Sequence, residues 1–149
     1  MKLPSRLALL LTGVLICGYA LPATAQTAST VFLVASDAWV PPADRYLRPK
    51  EGQYFFAIRV TVTRDSTNPH LRLTVSSRKF GLIVNQAVVY KPSYFSGSIV
   101  PSPCSNIELL SSGSVTCDLV FELPQDIRSG TLEFRDSVFS ATPVYTGLH

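Results

Sequence analysis

Gln53 to Arg64 reads QYFFAIRVTVTR, and this stretch decides the fold. Tyr54, Phe56, Ile58, Val60 and Val62 alternate with Phe55, Ala57, Arg59, Thr61 and Thr63. Successive side chains of an extended chain point to opposite faces, so a period of two sorts these residues into an apolar side and a mixed side. Aromatic and β-branched residues suit such a pleated surface. The stretch predicts a strand with its first set facing a core and its second set half exposed.

The same pattern recurs along the chain. Val115 to Leu123 places Val115, Cys117, Leu119, Phe121 and Leu123 inward, against Thr116, Asp118 and Glu122. Shorter runs obey the rule at Val31 to Trp39, Leu71 to Val75, Phe80 to Val84, Ala87 to Tyr90, Leu132 to Arg135 and Val138 to Val144. Turn residues separate them: Pro41-Pro42, Pro49 with Gly52, Asn68-Pro69, Asn85-Gln86, Pro92 to Pro103, Ser112-Gly113, Pro124 and Ser129-Gly130. No window carries a capped amphipathic helix, and no internal repeat is present. Short strands without helical crossovers predict an all-β chain, an immunoglobulin-like antiparallel β-sandwich of about seven to eight strands. A small barrel is the alternative. In a sandwich, two inner faces enclose a core about 10 Å thick.

The length of 149 residues suits one domain, and a 46% apolar content excludes a disordered tail. Residues 1–25 read as a cleaved secretory signal peptide. Lys2 and Arg6 supply its positive start, and Leu7 to Ile16 its apolar run. That run falls short of the roughly 20 residues that span a bilayer. Ala23-Thr24-Ala25 offers the small residues that signal peptidase accepts. The expected product is a single domain over residues 26–149, secreted or periplasmic, with no stable membrane insertion. An uncleaved anchor and lipidation at Cys17 are the alternatives, the latter disfavoured by the bulky Ile16. Losing Lys2 and Arg6 reduces the net charge from +3 to +1, which removes the suggestion of an acidic partner. The chain has no Asn-x-Ser/Thr acceptor site, which favours a bacterial envelope over a eukaryotic secretory route.

Cys104 and Cys117 remain in the mature chain, and an oxidising compartment makes a disulfide between them the expectation. Two cysteines without nearby histidines cannot complete a tetrahedral metal shell, and a redox pair is more often spaced C-x-x-C. Closing this loop is worth on the order of 3 kcal/mol in the chain-entropy treatment.

Three stretches resemble the telokin-like family of secreted bacterial domains of unknown function. PKEGQYFFAIRVTVTR (Pro49 to Arg64) is similar to its Pro-x-x-Gly turn leading into a long apolar strand. KFGLIVNQAVVYKPS (Lys79 to Ser93) is similar to its Phe-x-Leu hairpin with a closing tyrosine. ELLSSGSVTCDLVFELP (Glu108 to Pro124) is similar to its Leu-x-x-Gly-x-Ser turn and the strand that ends in Phe-x-x-Pro. Asn85-Gln86 departs from the acidic residue and glycine common at that hairpin. The resemblance implies an immunoglobulin-like sandwich outside the cytoplasm, and no shared catalytic residues.

Catalytic equipment is sparse. The chain has two histidines, His70 and the terminal His149, and its single methionine is Met1. No cofactor or metal site is expected. No serine sits in a Gly-x-Ser-x-Gly elbow, although a triad using His70 with Asp65 or Asp118 defines a secreted hydrolase as one alternative. Arg59, Arg64, Arg72, Arg78 and Lys79 are read as solvated outer-face cations rather than a nucleic-acid surface, because phosphate binding needs dense positive charge. Glu122 and Glu133 are read as solvated in the same way. Aromatics on loops remain: Trp39 and Tyr46 around Pro41-Pro42, and Tyr94 and Phe95 in the Gly/Ser/Pro-rich segment. Such residues suit partner recognition, with burial of Trp39 and Phe95 in a small satellite cluster as the competing structural role. The expectation is a non-catalytic module that binds a protein or cell-envelope component and no nucleic acid. A structural subunit of an envelope assembly is a further alternative.

Overall fold

The computed structural model describes residues 29–42, 46–65, 68, 70–93, 99–110 and 112–148. The signal-peptide stretch, Tyr94, Phe95 and His149 lie outside them. Ten strands follow in order: β1 (Ser29–Trp39), β2 (Gln53–Asp65), β3 (Leu73–Val75), β4 (Phe80–Val84), β5 (Val88–Tyr90), β6 (Ile107–Leu109), β7 (Gly113–Pro124), β8 (Ser129–Phe134), β9 (Phe139–Ala141) and β10 (Val144–Gly147). A short 3-10 turn at Ser77–Lys79 leads into β4.

Two four-stranded sheets, β7-β2-β1-β9 and β10-β8-β4-β5, form a sandwich-like all-β arrangement, with a two-stranded ribbon β3-β6 beside them. Long β2 is the spine of the first sheet, because its alternation extends over enough residues to pair β1 on one side and β7 on the other. Its turn fits the sequence. Gly52 takes φ 75° and Gln53 N–H donates to Lys50 O at 2.9 Å, a bend that glycine accommodates without strain.

The core is the meeting of the two inner faces. Phe56, Ile58, Val60 and Val62 of β2 and Leu119, Phe121 and Leu123 of β7 are fully buried. From the second sheet come Phe80 and Leu82 of β4 and Leu132 and Phe134 of β8. Phe80 and Phe134 pair across the strands and meet edge-on at 5.2 Å between centroids. Fully burying a side chain of this size contributes roughly 1.5–3 kcal/mol, so the inner faces dominate stability.

Several expectations are corrected. The described residues hold ten strands rather than seven or eight: Pro143 divides the expected Val138 to Val144 strand into β9 and β10, and β6 is not among the runs that alternation picks out. Ser129-Gly130, expected as a turn, begins β8. One pairing is parallel, β1 with β9, within an otherwise antiparallel pair of sheets. Arg64 is not a solvated cation but 1% exposed. Its guanidinium donates to Leu109 O at 2.8 Å and Asn68 O at 2.9 Å and lies 5.3 Å from the Phe139 ring centroid. Glu133 is also largely buried, folded over Gly81, where a Cβ would come within 2.9 Å of its Oε1. Glu122 is partly covered and accepts from Lys50 N–H at 2.6 Å.

Candidate functional site

A β-bulge builds the site. Up to Ala35, β1 pairs in step with β2, and Val31 and Leu33 point into the core. The register then shifts, so that Ala35 faces Val60 while Asp37 faces Arg59 and Trp39 faces Ala57. One extra residue, Ser36, reverses the face on which odd-numbered side chains emerge. Asp37 and Trp39 therefore join the outer face of the first sheet instead of entering the core.

Two cross-strand rows result. Asp37, Arg59 and Asp118 line up over β1, β2 and β7, and Trp39, Ala57 and Val120 form the next row. Arg59 Nε donates to Asp118 Oδ1 at 2.8 Å and Nη2 to Oδ2 at 3.3 Å, a forked contact that fixes the guanidinium plane. Its centre lies 5.5 Å from the Trp39 ring centroid, within cation–π range. The hydrogen bond and charge of Asp118, followed at longer range by the charge of Asp37, raise the Arg59 pKa despite some desolvation. A fixed cation and an indole thus border a shallow cleft of about 330 Å³ lined by Asp37, Ala38, Trp39 and Arg59.

Asp118 was expected opposite the inward set, on a half-exposed face, and it does point outward, yet it is completely buried. The returning end of the Pro92 to Pro103 segment covers it. Ser102 N–H donates to Asp118 Oδ2 at 3.2 Å, Asp118 N–H donates to Ser102 O at 2.6 Å, and Cys104 N–H donates to Asp118 O at 3.0 Å. The Cys104–Cys117 disulfide is formed beside these bonds, with S–S 2.07 Å. Above it, Val100 seals a second apolar cluster with Phe55, Ala57 and Val120, against which Trp39 and Ile99 pack. At the other end of the segment, Ser93 N–H donates to Val120 O at 2.6 Å.

Among the sequence candidates, the structure brings Trp39 into this surface and gives it two roles, a side of the satellite cluster and a wall of the cleft. Tyr46 is 82% exposed on the β1–β2 connection. Ser93 and Ile99, which flank the undescribed Tyr94 and Phe95, are both anchored on this sheet's outer side. Sequence reasoning named Arg59 only as a solvated cation and Asp118 only as an alternative triad acid, and did not single out Asp37. The available signal was the acidic Asp37 in a row of otherwise inward residues, which a bulge resolves. His70 is exposed in a turn, where its backbone N–H donates to Asn68 Oδ1 at 3.0 Å. Asp118 is fully buried and engaged by Arg59 and Ser102, whereas His70 is exposed. Among the described residues no group of three or more His, Cys, Asp or Glu is placed to hold a metal.

A family model described as a domain of unknown function (DUF4352) matches residues 20–144, and the chain belongs to that family. Neither the curated proteins nor the solved structures contain a match to it.

Proposed function

We propose that this DUF4352 member is a secreted or periplasmic, non-catalytic module that binds a protein or cell-envelope partner through the Trp39–Arg59 face. The observation that carries the reading is the bulge, which turns the Trp39 indole outward beside the fixed Arg59 guanidinium of β2, so that both border an open cleft. Tryptophan and arginine supply much of the energy of known interfaces, through large contact area and directional hydrogen bonding. Arg59 is already oriented by Asp118, so little rotamer entropy is lost when a partner arrives. An immunoglobulin-like, telokin-like kinship belongs to the same reading and is supported by the two facing four-stranded sheets. The Ala23-Thr24-Ala25 sequence after an apolar run supports cleavage after Ala25 and with it the address, and a mature N-terminus at Gln26 by mass spectrometry tests it.

The binding test is a pull-down from envelope extract with wild-type, Trp39→Ala and Tyr46→Ala proteins of matched thermal stability. A partner retained by the wild type and lost with Trp39→Ala supports the reading. A partner held equally by all three, or none at all, overturns it.

One further observation favours assembly as a second role. Edge strand β5 exposes Val88 and Val89, 50% and 37% accessible, and an open apolar edge is a template for strand addition. Light scattering at increasing concentration should then detect a discrete oligomer, which Val89→Lys abolishes; a monomer at every concentration counts against it.

A further inference from the structure

The opposite sheet carries a second concavity. Its outer face aligns Tyr145 of β10, Thr131 of β8 and Ile83 of β4 in one cross-strand row. Beyond Ile83 at the end of β4, the β4–β5 turn bears Asn85 and Gln86, and Ser129 starts β8 nearby. Together they line a pocket of about 420 Å³, within the ~300–1,000 Å³ usual for small-molecule sites. The lining is amide, hydroxyl, phenol and aliphatic, with no carboxylate, ammonium or guanidinium. Tyr145 is 72% exposed, which leaves its ring open to stacking. Among the described residues, the side chains of Asn85, Gln86, Ser129, Thr131 and Tyr145 make no hydrogen bond or ion pair.

The turn itself conflicts with its sequence. Asn85 and Gln86 have φ 52° and 59°, and Ala87 N–H donates to Val84 O at 3.2 Å, a tight hairpin with two left-handed residues. Asparagine tolerates that conformation and glycine prefers it, but glutamine is disfavoured there. Residues that break a local rule in this way are expected at functional or strained sites.

We propose that this pocket binds a neutral saccharide. A pyranose has an apolar C–H face that stacks on an aromatic ring and a rim of hydroxyls that pair with amides. Tyr145 supplies the ring, Asn85 and Gln86 supply paired donors and acceptors, and Ser129 and Thr131 supply hydroxyls. An anionic ligand finds no counter-charge here. The site lies on the other sheet from the Trp39–Arg59 cleft, so either proposal can fail without the other.

The test is an NMR titration of the purified protein with cellobiose, maltose, lactose and chitobiose, with glucuronic acid as the charged comparison. At least one neutral disaccharide should give saturable shifts at residues 83–86, 129–131 and 145, leaving the Trp39 indole unmoved. Tyr145→Ala should weaken that binding about tenfold or more, with folding intact because the ring is exposed. Gln86→Gly should weaken it while keeping or raising the melting temperature. No saturable shift with any of the four, shifts centred elsewhere, stronger binding of glucuronic acid, or wild-type affinity in Tyr145→Ala would each overturn the proposal.

Discussion

Arg59 and Asp118 form an unequal pair, one partner 37% accessible along its side chain and the other sealed. Removing the arginine leaves a carboxylate buried with only the Ser102 N–H to compensate it, and an uncompensated buried charge is more costly than no charge. Arg59→Met should therefore destabilise more than the double variant Arg59→Met/Asp118→Val, as measured by urea unfolding. The chain contains a single tryptophan, so the emission of Trp39 reports directly on the loosened cleft. If the double variant is the less stable of the two, the pair holds the fold in a way burial does not explain. Asp136 presents the opposite balance. Burial disfavours its ionised form, but Lys79 and the N–H groups of Val138 and Phe139 outweigh that, and its pKa is held below the usual range. A carboxylate depressed in the folded state contributes stability that is complete above its unfolded pKa of about 3.9 and is lost as pH falls through the lower folded value. Asp136→Asn should accordingly lower the melting temperature at neutral pH and flatten the decline below pH ~4. A parallel decline in both proteins would place the acid sensitivity elsewhere. At this scale, Arg64 was misread as a solvated cation, although it shares the parity of the inward Val62. Its role was not legible, because one of the carbonyls it bonds, that of Leu109, is distant along the chain.

The strands show why alternation reads well until a residue is inserted. Phe80–Val84 was bounded correctly, and β2 and β7 were found to within a residue or two, because each keeps one apolar face throughout. The run from Val31 to Trp39 was found too, but unbroken alternation carries Trp39 to the core side, and the register shift at Ser36 sends it outward. A bulge leaves almost no mark in composition, and its sign here is the acid that would otherwise be buried. The outer faces of β2 and β7 were misread for a related reason. Phe55, Ala57 and Val120 are covered by a segment that sequence shows only as a loop. Deleting Ser36 tests the bulge directly. Without Ser36, Asp37 follows the inward Ala35 directly, so regular alternation keeps Asp37 and Trp39 outward, paired with Arg59 and Ala57, and Ala38 inward. The deletion should therefore keep Trp39 emission and the urea midpoint near the wild type, as should Ser36→Ala, which keeps the extra residue and falls within the small range usual for exposed substitutions. A strong shift of Trp39 emission in the deletion alone would mean that the bulge holds the indole by more than the parity it sets.

For the molecule as a whole, the sandwich holds itself together through its inner faces, while its outer cleft depends on a covalent tie. The disulfide closes a loop of 13 positions and fixes the segment that shields Asp118, Phe55 and Val120. Cys104 and Cys117 are 2% and 1% exposed, so a reductant cannot reach the sulfurs until the chain opens. Native protein should resist dithiothreitol and yield two alkylatable thiols from this pair only after unfolding. The variant Cys104→Ala/Cys117→Ala should still fold, since the cluster of Phe56, Ile58, Leu119 and Phe80 is untouched, but with about 3 kcal/mol less stability from the freed loop. Its native state should also differ. With the 99–104 segment no longer pinned, the apolar floor beneath Val100 is uncovered, and a dye for exposed apolar surface should bind the variant and not the wild type. Hydrogen exchange separates the two effects: amides of Cys104 and Asp118 should lose protection selectively, while those of β4 and β8 should fall only with global stability. Uniform loss of protection over both sheets would show that the bridge holds the entire sandwich rather than the cover of one face.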